Sequence, residues 1–367
     1  MDIQIQKELF LEKLSLAARF TGNRISSSPI LQGTQIVIEG SIMHMYATDL
    51  NQFIHVSLPI EGTHPKTVCI IEPKKILEFI QLLPGNEVSL TFSEKQMRVS
   101  YGKTRGNFPF IIAEDFPLPP ELTDVEKVVI DQLQDSLSLI TLSASKDESR
   151  PVLTGISVHE KEDSVLFVTT DGFRLSLLRQ PKKSPIAPLI IPASFFDFVT
   201  TTQSKKKKDL ELLLLKKEKM IATHLNETDT VYTRMIEGEF PPYERVLPSE
   251  AKTTILVDRQ GLLRTVKLVS VFAREFSQIL VCECKKDGLY IRPKKENNQD
   301  NNAFQEAKIT GEEQIVAFNF RYLLDFLNTV KSEQIQIEIV RPDAPVVFKI
   351  PENEKFLHII MPVRIQE

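Results

Sequence analysis

Apolar residues recur at helical spacing in six separate stretches of the chain. Ile76, Phe79, Ile80 and Leu83 fall at i, i+3, i+4 and i+7, and Leu323, Phe326, Leu327 and Val330 repeat that pattern. Phe10, Leu14, Ala17 and Ala18 form a similar stripe, as do Leu133, Leu137, Ile140 and Ala144, and Leu262, Val266 and Val269. Phe195, Phe198 and Val199 mark a shorter helix opening near Pro192, a residue suited to a first turn because the N–H it lacks would be unbonded there. The spacing predicts helices over residues 6–21, 73–83, 131–145, 192–202, 258–272 and 319–330. Strands are expected after the second, fourth and sixth helices, beginning near Glu87, Asp209 and Glu333. The last alternates cleanly, with Ile335, Ile337 and Ile339 on one face and Gln336 and Glu338 between them. Two more strands follow in each case, near Gln96 and Asn107, near Lys219 and Asp229, and near Ala344 and Lys355.

These elements are periodic. The first helices of each third begin near Gln6, Asp131 and Asp258, spaced by 125 and 127 residues; the second begin near Pro73, Pro192 and Asn319, spaced by 119 and 127. Short words recur at the same period. Ala47-Thr48-Asp49-Leu50 is answered by Thr169-Thr170-Asp171-Gly172, and Phe116-Pro117 by Phe240-Pro241 and, more loosely, Met361-Pro362. A repeat of this length exceeds the roughly 20–50 residues of a solenoid unit, so each copy should be a domain with its own core. The expected organisation is α+β, with three tandem similar domains at 1–121, 122–249 and 250–367. Pro117-Leu118-Pro119-Pro120-Glu121 and Leu247-Pro248-Ser249-Glu250 supply the breaks, and Lys294 to Asn302 is polar enough to be a loop.

Composition narrows what such a chain could do. Of 367 residues, 42% are hydrophobic and 26% charged, a globular balance. No window approaches the roughly 18 apolar residues of a membrane span, and Met1 to Lys7 lacks the basic-then-apolar order of a signal peptide. Three cysteines without zinc-finger spacing point to a reducing cytoplasm and no disulfide framework. A net charge of −4 excludes holding nucleic acid by bulk charge. The six predicted helices nevertheless carry nine Lys/Arg against eight Asp/Glu, so they are near +1 while the remainder is near −5. Lys205 to Lys208, the densest charge run, reads as a solvated loop in preference to a phosphate contact.

No catalytic motif is complete. Gly102-Lys103-Thr104 looks like the tail of a phosphate loop, but Met97 stands where that loop needs glycine, so a turn between strands is expected. Asp171-Gly172 reads as a turn, since glycine accepts positive φ. Cys282 and Cys284 share a strand face as small hydrophobes. His44, His55, His64, His159, His224 and His358 include no pair at metal-ligand spacing. No catalytic residue, metal or cofactor is assigned.

Several words, in order, make the chain resemble the bacterial sliding clamps, the beta subunits of DNA polymerase III. They are Gly22-Asn23-Arg24, Ser28-Pro29-Ile30-Leu31, Ala47-Thr48-Asp49-Leu50, Arg150-Pro151-Val152-Leu153-Thr154-Gly155, Thr170-Asp171-Gly172-Phe173-Arg174-Leu175, Phe240-Pro241-Pro242-Tyr243-Glu244-Arg245-Val246-Leu247-Pro248 and Met361-Pro362-Val363-Arg364. The resemblance implies a DNA clamp fold, in which two chains close a six-domain ring with helices lining the hole and antiparallel sheets outside. The ring would encircle double-stranded DNA without sequence preference and tether a polymerase. It also implies a peptide-binding pocket where polymerases, the clamp loader and repair proteins dock. Its walls would be Leu153, Thr170, Gly172, Arg174, Leu175, Pro241, Arg245, Val246, Ile360, Met361, Pro362, Val363 and Arg364, with Val246 and Ile360 open to a purely packing role.

The same resemblance places Arg24, Lys74 and Lys75 toward DNA, and Lys103, Arg105, Phe108, Val271 and Phe272 at the dimer interface. Two departures bear on the expectation. Phe173 replaces a histidine common in the family, making one side of the pocket more apolar. Gly106 stands where an aromatic often seals the ring, leaving Phe108, Val271 and Phe272 to do more. Two other readings stay open: a related peptide-binding scaffold that never loads on DNA, and an enzyme with a site between domains.

Overall fold

The computed structural model describes residues 1–22, 28–112, 115–130, 136–183, 185–203, 209–248, 250–274, 277–294 and 301–364. Arg24, Lys205 to Lys208 and the first part of the helix expected over 131–145 lie outside the described residues.

The first third runs β1 (Asp2–Gln6), α1 (Lys7–Ala18), β2 (Thr34–Thr48), β3 (Gln52–Ile71), α2 (Pro73–Leu82), β4 (Glu87–Phe92), β5 (Gln96–Tyr101) and β6 (Thr104–Ile111). The second runs β7 (Glu126–Ile130), α3 (Leu137–Thr141), β8 (Gly155–Lys161), β9 (Ser164–Thr170), β10 (Arg174–Pro181), β11 (Leu189–Pro192), α4 (Ala193–Thr202), β12 (Leu210–Leu215), β13 (Met220–His224) and β14 (Thr230–Arg234). The third runs β15 (Thr253–Asp258), α5 (Arg259–Ala273), β16 (Ile279–Lys285), β17 (Gly288–Pro293), β18 (Ala303–Gly311), β19 (Gln314–Asn319), α6 (Phe320–Thr329), β20 (Gln334–Ile339), β21 (Val346–Ile350) and β22 (Asn353–Ile360). The order is the same each time. In the first third two long strands do the work of four, their pairing shifted around Gly40, whose φ of +62° favours glycine.

Five predicted helices appear within a few residues of their expected bounds. Their ends follow local chemistry: Asp258 Oδ1 accepts from the Gly261 N–H at 2.6 Å, and Asn319 Oδ1 from Arg321 N–H at 3.0 Å. The helix expected to run to residue 145 instead stops at Thr141. Beyond it, the Ser145 N–H bonds the carbonyl of Leu153, and the Ser143 hydroxyl meets Ser176, so both are drawn away from a helical ladder. The Gly102-Lys103-Thr104 segment is the β5–β6 turn, with Gly102 at φ +56°. Asp171-Gly172 is likewise a turn, with Gly172 at φ +91°.

The chain divides into two compact units. One comprises Met1–Val129 and Thr202–Met235; the other comprises Ile130–Thr201 and Ile236–Glu367. In the first, the strands run β1-β4-β5-β6-β3-β14-β13-β12-β7, with β2 on β3; in the second they run β11-β8-β9-β10-β22-β21-β20-β15-β18-β17-β16-β19. Helical stripes bury against these sheets, among them Phe10, Leu14 and Ala17 on α1, Ile76 and Ile80 on α2, and Phe326 and Leu327 on α6. Each of the Phe, Leu and Ile side chains contributes roughly 1.5–3 kcal/mol when fully buried.

One type of joint occurs in both units. Gln52 to His55 of β3 pair with Thr230 to Thr233 of β14, and Arg174 to Leu178 of β10 pair with Phe356 to Ile360 of β22. Each time, the last strand of one third is laid on a hairpin strand of the third before it. An apolar cluster covers each joint. In the first unit Phe53, Leu213, Leu215, Met220, Ala222 and Tyr232 pack under Leu122 and Val125. In the second, Leu166, Val168, Leu175, Leu177, Tyr243, Val347 and Ile359 pack under Phe240, Val246 and Leu247.

The first unit also contains a buried ion pair. Lys13 Nζ, on α1, donates to both Asp229 carboxylate oxygens at 2.7 Å and to Thr228 Oγ1 at 3.0 Å. Asn226 Nδ2 adds a bond to Asp229 at 2.8 Å, and the Asp229 side chain is fully shielded from solvent.

Candidate functional site

The β9–β10 turn is fixed by its own side chains. Asp171 Oδ1 accepts from the Phe173 and Arg174 N–H groups, both at 2.9 Å. Thr170 Oγ1 donates to the Arg174 carbonyl at 2.7 Å and accepts from the Gly172 N–H at 3.1 Å. This Asx-type arrangement drives Phe173 outward, where it is 62% exposed. The Phe173 carbonyl accepts from Met361 N–H at 2.8 Å, and the Ala317 carbonyl from Val363 N–H at 2.7 Å. The segment Met361 to Val363 is therefore pinned between the turn and β19.

An aromatic shelf results. The Phe173 ring stacks on Tyr322 of α6 with centroids 6.5 Å apart and planes 19° apart. Arg174 lies over the same Tyr322 ring at 4.7 Å. Its guanidinium is held by Asp171 Oδ2 at 2.9 Å and Asp325 Oδ2 at 2.7 Å. Burial, with the Asp171 carboxylate next, raises the Tyr322 hydroxyl pKa above its ordinary value.

The structure sorts the thirteen expected wall residues. Met361, Pro362 and Val363 are half-buried, and Gly172, Pro241, Arg245 and Arg364 are exposed. Leu175 and Ile360 are 2% and 0% exposed, and Leu153 and Thr170 are buried too. Leu175 sits opposite Ile359 in the joint and packs against Tyr243, so it supports the shelf from within. Val246 packs half-buried on the same cluster. Arg174, already held by two carboxylates, positions Tyr322 and leaves Arg245 and Arg364 as the exposed cations. Sequence reasoning did not single out Tyr322, Asp325 or Asp171 as site residues. The signal available was Tyr322 and Asp325 at i and i+3 on one face of α6.

Beneath the shelf lies a closed polar cluster. His358 is fully buried; its Nδ1 is 3.0 Å from Ser176 Oγ and 3.4 Å from Ser143 Oγ, and the two hydroxyls are 2.8 Å apart. Its ring stacks on Phe326 at 5.0 Å. Burial first, then the positive Arg174, pushes the imidazole down to about 3, so it is neutral at ordinary pH.

Burial pushes the Cys69 and Cys284 thiols up to about 12 and Cys282 higher still, which leaves them unreactive. Among the described residues no group of three or more His, Cys, Asp or Glu could hold a metal, and no helix is long and apolar enough to cross a membrane.

Lys74 and Lys75 are exposed on the first turn of α2, where Lys75 meets Glu72 at 3.6 Å. Besides β2 and the end strands β1, β7, β11 and β19, which have one partner each, two strands inside the sheets carry a stretch paired on one side only among the described residues. β6 pairs with β5 through Thr104 to Pro109, and no strand lies on the other side of that stretch. β18 pairs with β17 through Ala303 to Glu306, and the opposite side of that stretch is equally bare. No residue of either strand is buried, whereas β14 and β22, each within a joint, bury four residues apiece. Lys103 and Arg105 are exposed beside the first open edge, and Phe108 is half-buried on it. On α5, Leu268, Val271 and Phe272 are 62%, 59% and 47% exposed.

Comparison with known proteins agrees with this architecture. The family model for the DNA polymerase III beta subunit N-terminal domain matches residues 1–120, that for the central domain matches 127–242, and that for the C-terminal domain matches 244–364. The chain is 24% identical to the beta sliding clamp of Treponema pallidum over 378 residues, covering all of both chains. It is also 24% identical to that of Synechocystis sp. over 379 residues, 96% of each. The crystal structure of the DNA polymerase III beta subunit from Thermotoga maritima superposes over the full length of both chains with a TM-score of 0.90 at 21% identity. With all three thirds matched in order, the chain belongs to the DNA polymerase III beta subunit family.

Proposed function

We propose that the chain is a processivity clamp: two copies close head to tail into a ring around duplex DNA, and the shelf at Phe173 and Tyr322 takes short peptides from polymerases, the clamp loader and repair proteins. The observation that carries this reading is the joint made twice within the chain, β3 on β14 and β10 on β22, while β18 and β6 hold the two unused halves of a third. The thirds act as three domains, 1–121, 122–249 and 250–367, and two copies supply six. Topology then replaces tight contact. A chain of net charge −4 needs only loose, sequence-independent phosphate contacts, from Arg24, Lys74 and Lys75 among others. The clamp works in the cytoplasm and carries no catalytic activity of its own.

Light scattering across a dilution series should give a species of twice 41.8 kDa, and a purified loader should leave the protein retained on circular but not linearised DNA. Stimulated primer extension on long templates is expected alongside. A loaded species that never forms on circular DNA, with peptide binding intact, would leave the scaffold reading in its place.

The peptide shelf is tested separately. Phe173→Ala with Met361→Ala should weaken an apolar peptide by about tenfold or more in fluorescence anisotropy, with the melting temperature unchanged because both side chains reach solvent. Leu175→Ala should behave in the opposite way, costing about 2–5 kcal/mol of stability as a core truncation.

A further inference from the structure

Gly106 is covered by rings. A Cβ built on it would lie 2.9 Å from Phe79 of α2 and 3.0 Å from Phe108, too close for either ring to stay where it is. Its backbone is not in the left-handed region, so the requirement for glycine is one of space. Phe79 and Phe108 meet edge to face at 5.5 Å. Phe79 belongs to the same apolar stripe as Ile76 and Ile80, both fully buried, yet it remains partly exposed.

The internal repeat identifies the counterparts. Ile111 pairs with Ile70 on β3, while Ile236 N–H bonds Ile190 and Val363 N–H bonds Ala317 at the same place in the later thirds. Counting back five residues, Gly106 corresponds to Val231 and His358, both fully buried. Phe79 is the seventh residue of a ten-residue helix, as Phe326 is of α6. In the completed joint of the second unit, Phe326 stacks on His358, and Ser143, just past the end of α3, reaches the same imidazole. The open edge shows the same construction with one half absent. The strand residue is glycine, the helix phenylalanine lies on it, and both stay partly open to solvent beside Phe108. At the end of α5, the counterpart of α3, stand Val271 and Phe272, exposed.

We propose that Phe79, lying on Gly106 and edge-on to Phe108, is the seat that receives Phe272 of a second copy, so that the rings over Gly106 form the aromatic core of the seam and the glycine leaves no gap in it. This rests on the two-chain ring proposed above. The strand position gives up its side chain and the neighbouring helix supplies the aromatic, moving the contact onto an element held rigid by Ile76 and Ile80 beneath it.

The test is a mutant cycle on the dimer constant, by sedimentation of the full chain, with melting of each variant at monomeric dilution to establish folding. Phe79→Ala should weaken the dimer roughly a hundredfold or more, because a closed pair carries the seat twice. Gly106→Val, which installs the residue type found at position 231, should weaken it comparably by lifting Phe79 off the strand. The double variant should be no weaker than the worse single variant, since the introduced valine then has no ring left to displace. If Gly106→Val misfolds, Phe79→Ala with Phe272→Ala replaces it and should show the same lack of additivity. A Phe79→Ala dimer within about threefold of the parent, or strictly additive effects, would overturn the seat while leaving the ring intact. A parent chain that stays monomeric at every concentration would overturn both.

Discussion

Asp229→Ala is expected to destabilise the fold by about 3–5 kcal/mol, the loss seen when one partner of a buried ion pair is removed and the other charge is left in place. The geometry leaves Lys13 no alternative. Its ammonium is buried, both of its shortest bonds go to Asp229, and its third goes to Thr228 beside it. Removing the carboxylate also takes one partner from the Asn226 amide and the Thr228 hydroxyl, but both residues are exposed, so the cost falls mainly on the Lys13 ammonium. Urea unfolding should show the midpoint shift. Replacing both charges at once, with Lys13→Met and Asp229→Leu, should recover much of the loss, because no uncompensated charge is then buried. If Asp229→Ala and the double variant lose equally, packing in the β13–β14 loop is what matters at this place, and the ion pair is incidental.

Acidification should weaken the native state through its buried imidazoles. His358 is held down to about 3 by burial and then Arg174, and His55 down to about 4 by burial, His44 and, opposing them, Asp229. Both folded values lie below the ordinary histidine value near 6.5, so the unfolded chain takes up protons first as pH falls. Stability is therefore full above about pH 6.5 and is lost progressively down to about pH 3–4. At about 1.4 kcal/mol per pKa unit, His358 alone accounts for a loss on the order of 3 kcal/mol by pH 4. His358→Gln retains a side chain able to bond Ser176 but cannot titrate, so its melting temperature should fall less steeply between pH 6.5 and 4. Equal slopes for the two proteins would place the acid sensitivity elsewhere.

Much of the architecture could be read from the sequence because burial writes a period into it. The stripe Leu323, Phe326, Leu327, Val330 and the alternation Ile335, Ile337, Ile339 each have one buried face, and the structure buries all seven. The words around Asp49 and Asp171 were legible for a different reason, since the hydrogen bonds that close those turns are local. Where local rules compete with distant partners, the reading failed. Leu137 to Ala144 carries a helical stripe, yet Ser143 and Ser145 bond outside the helix, and no pattern announces that. Lys13 reads as a solvated lysine until Asp229, more than two hundred residues away, is folded onto it. At the shelf of Phe173 and Tyr322 the motif words marked the β9–β10 turn but did not distinguish Phe173, which faces solvent, from Leu175, which faces the core. A spacing of two within a strand puts both on one side only while the strand is regular, and Phe173 still belongs to the turn. Gly106 taught the reverse lesson. Its missing side chain was visible, while the ring that replaces it comes from a helix almost thirty residues earlier.

The segments that cover the two internal joints also tether them. Leu122 and Val125 lie over the β3–β14 joint, and Phe240, Val246 and Leu247 over the β10–β22 joint, each on the stretch of chain that connects one third to the next. A strand pair tethered in this way re-forms at an effective concentration on the order of millimolar whenever it opens. The seam proposed between β6 and β18 of two copies would have no such leash. It would re-form only as fast as separate molecules, or the two ends of a sprung ring, find each other. In the ring proposed above, thermal opening should then concentrate at that seam, and the chain's own covalent wiring would determine where DNA enters.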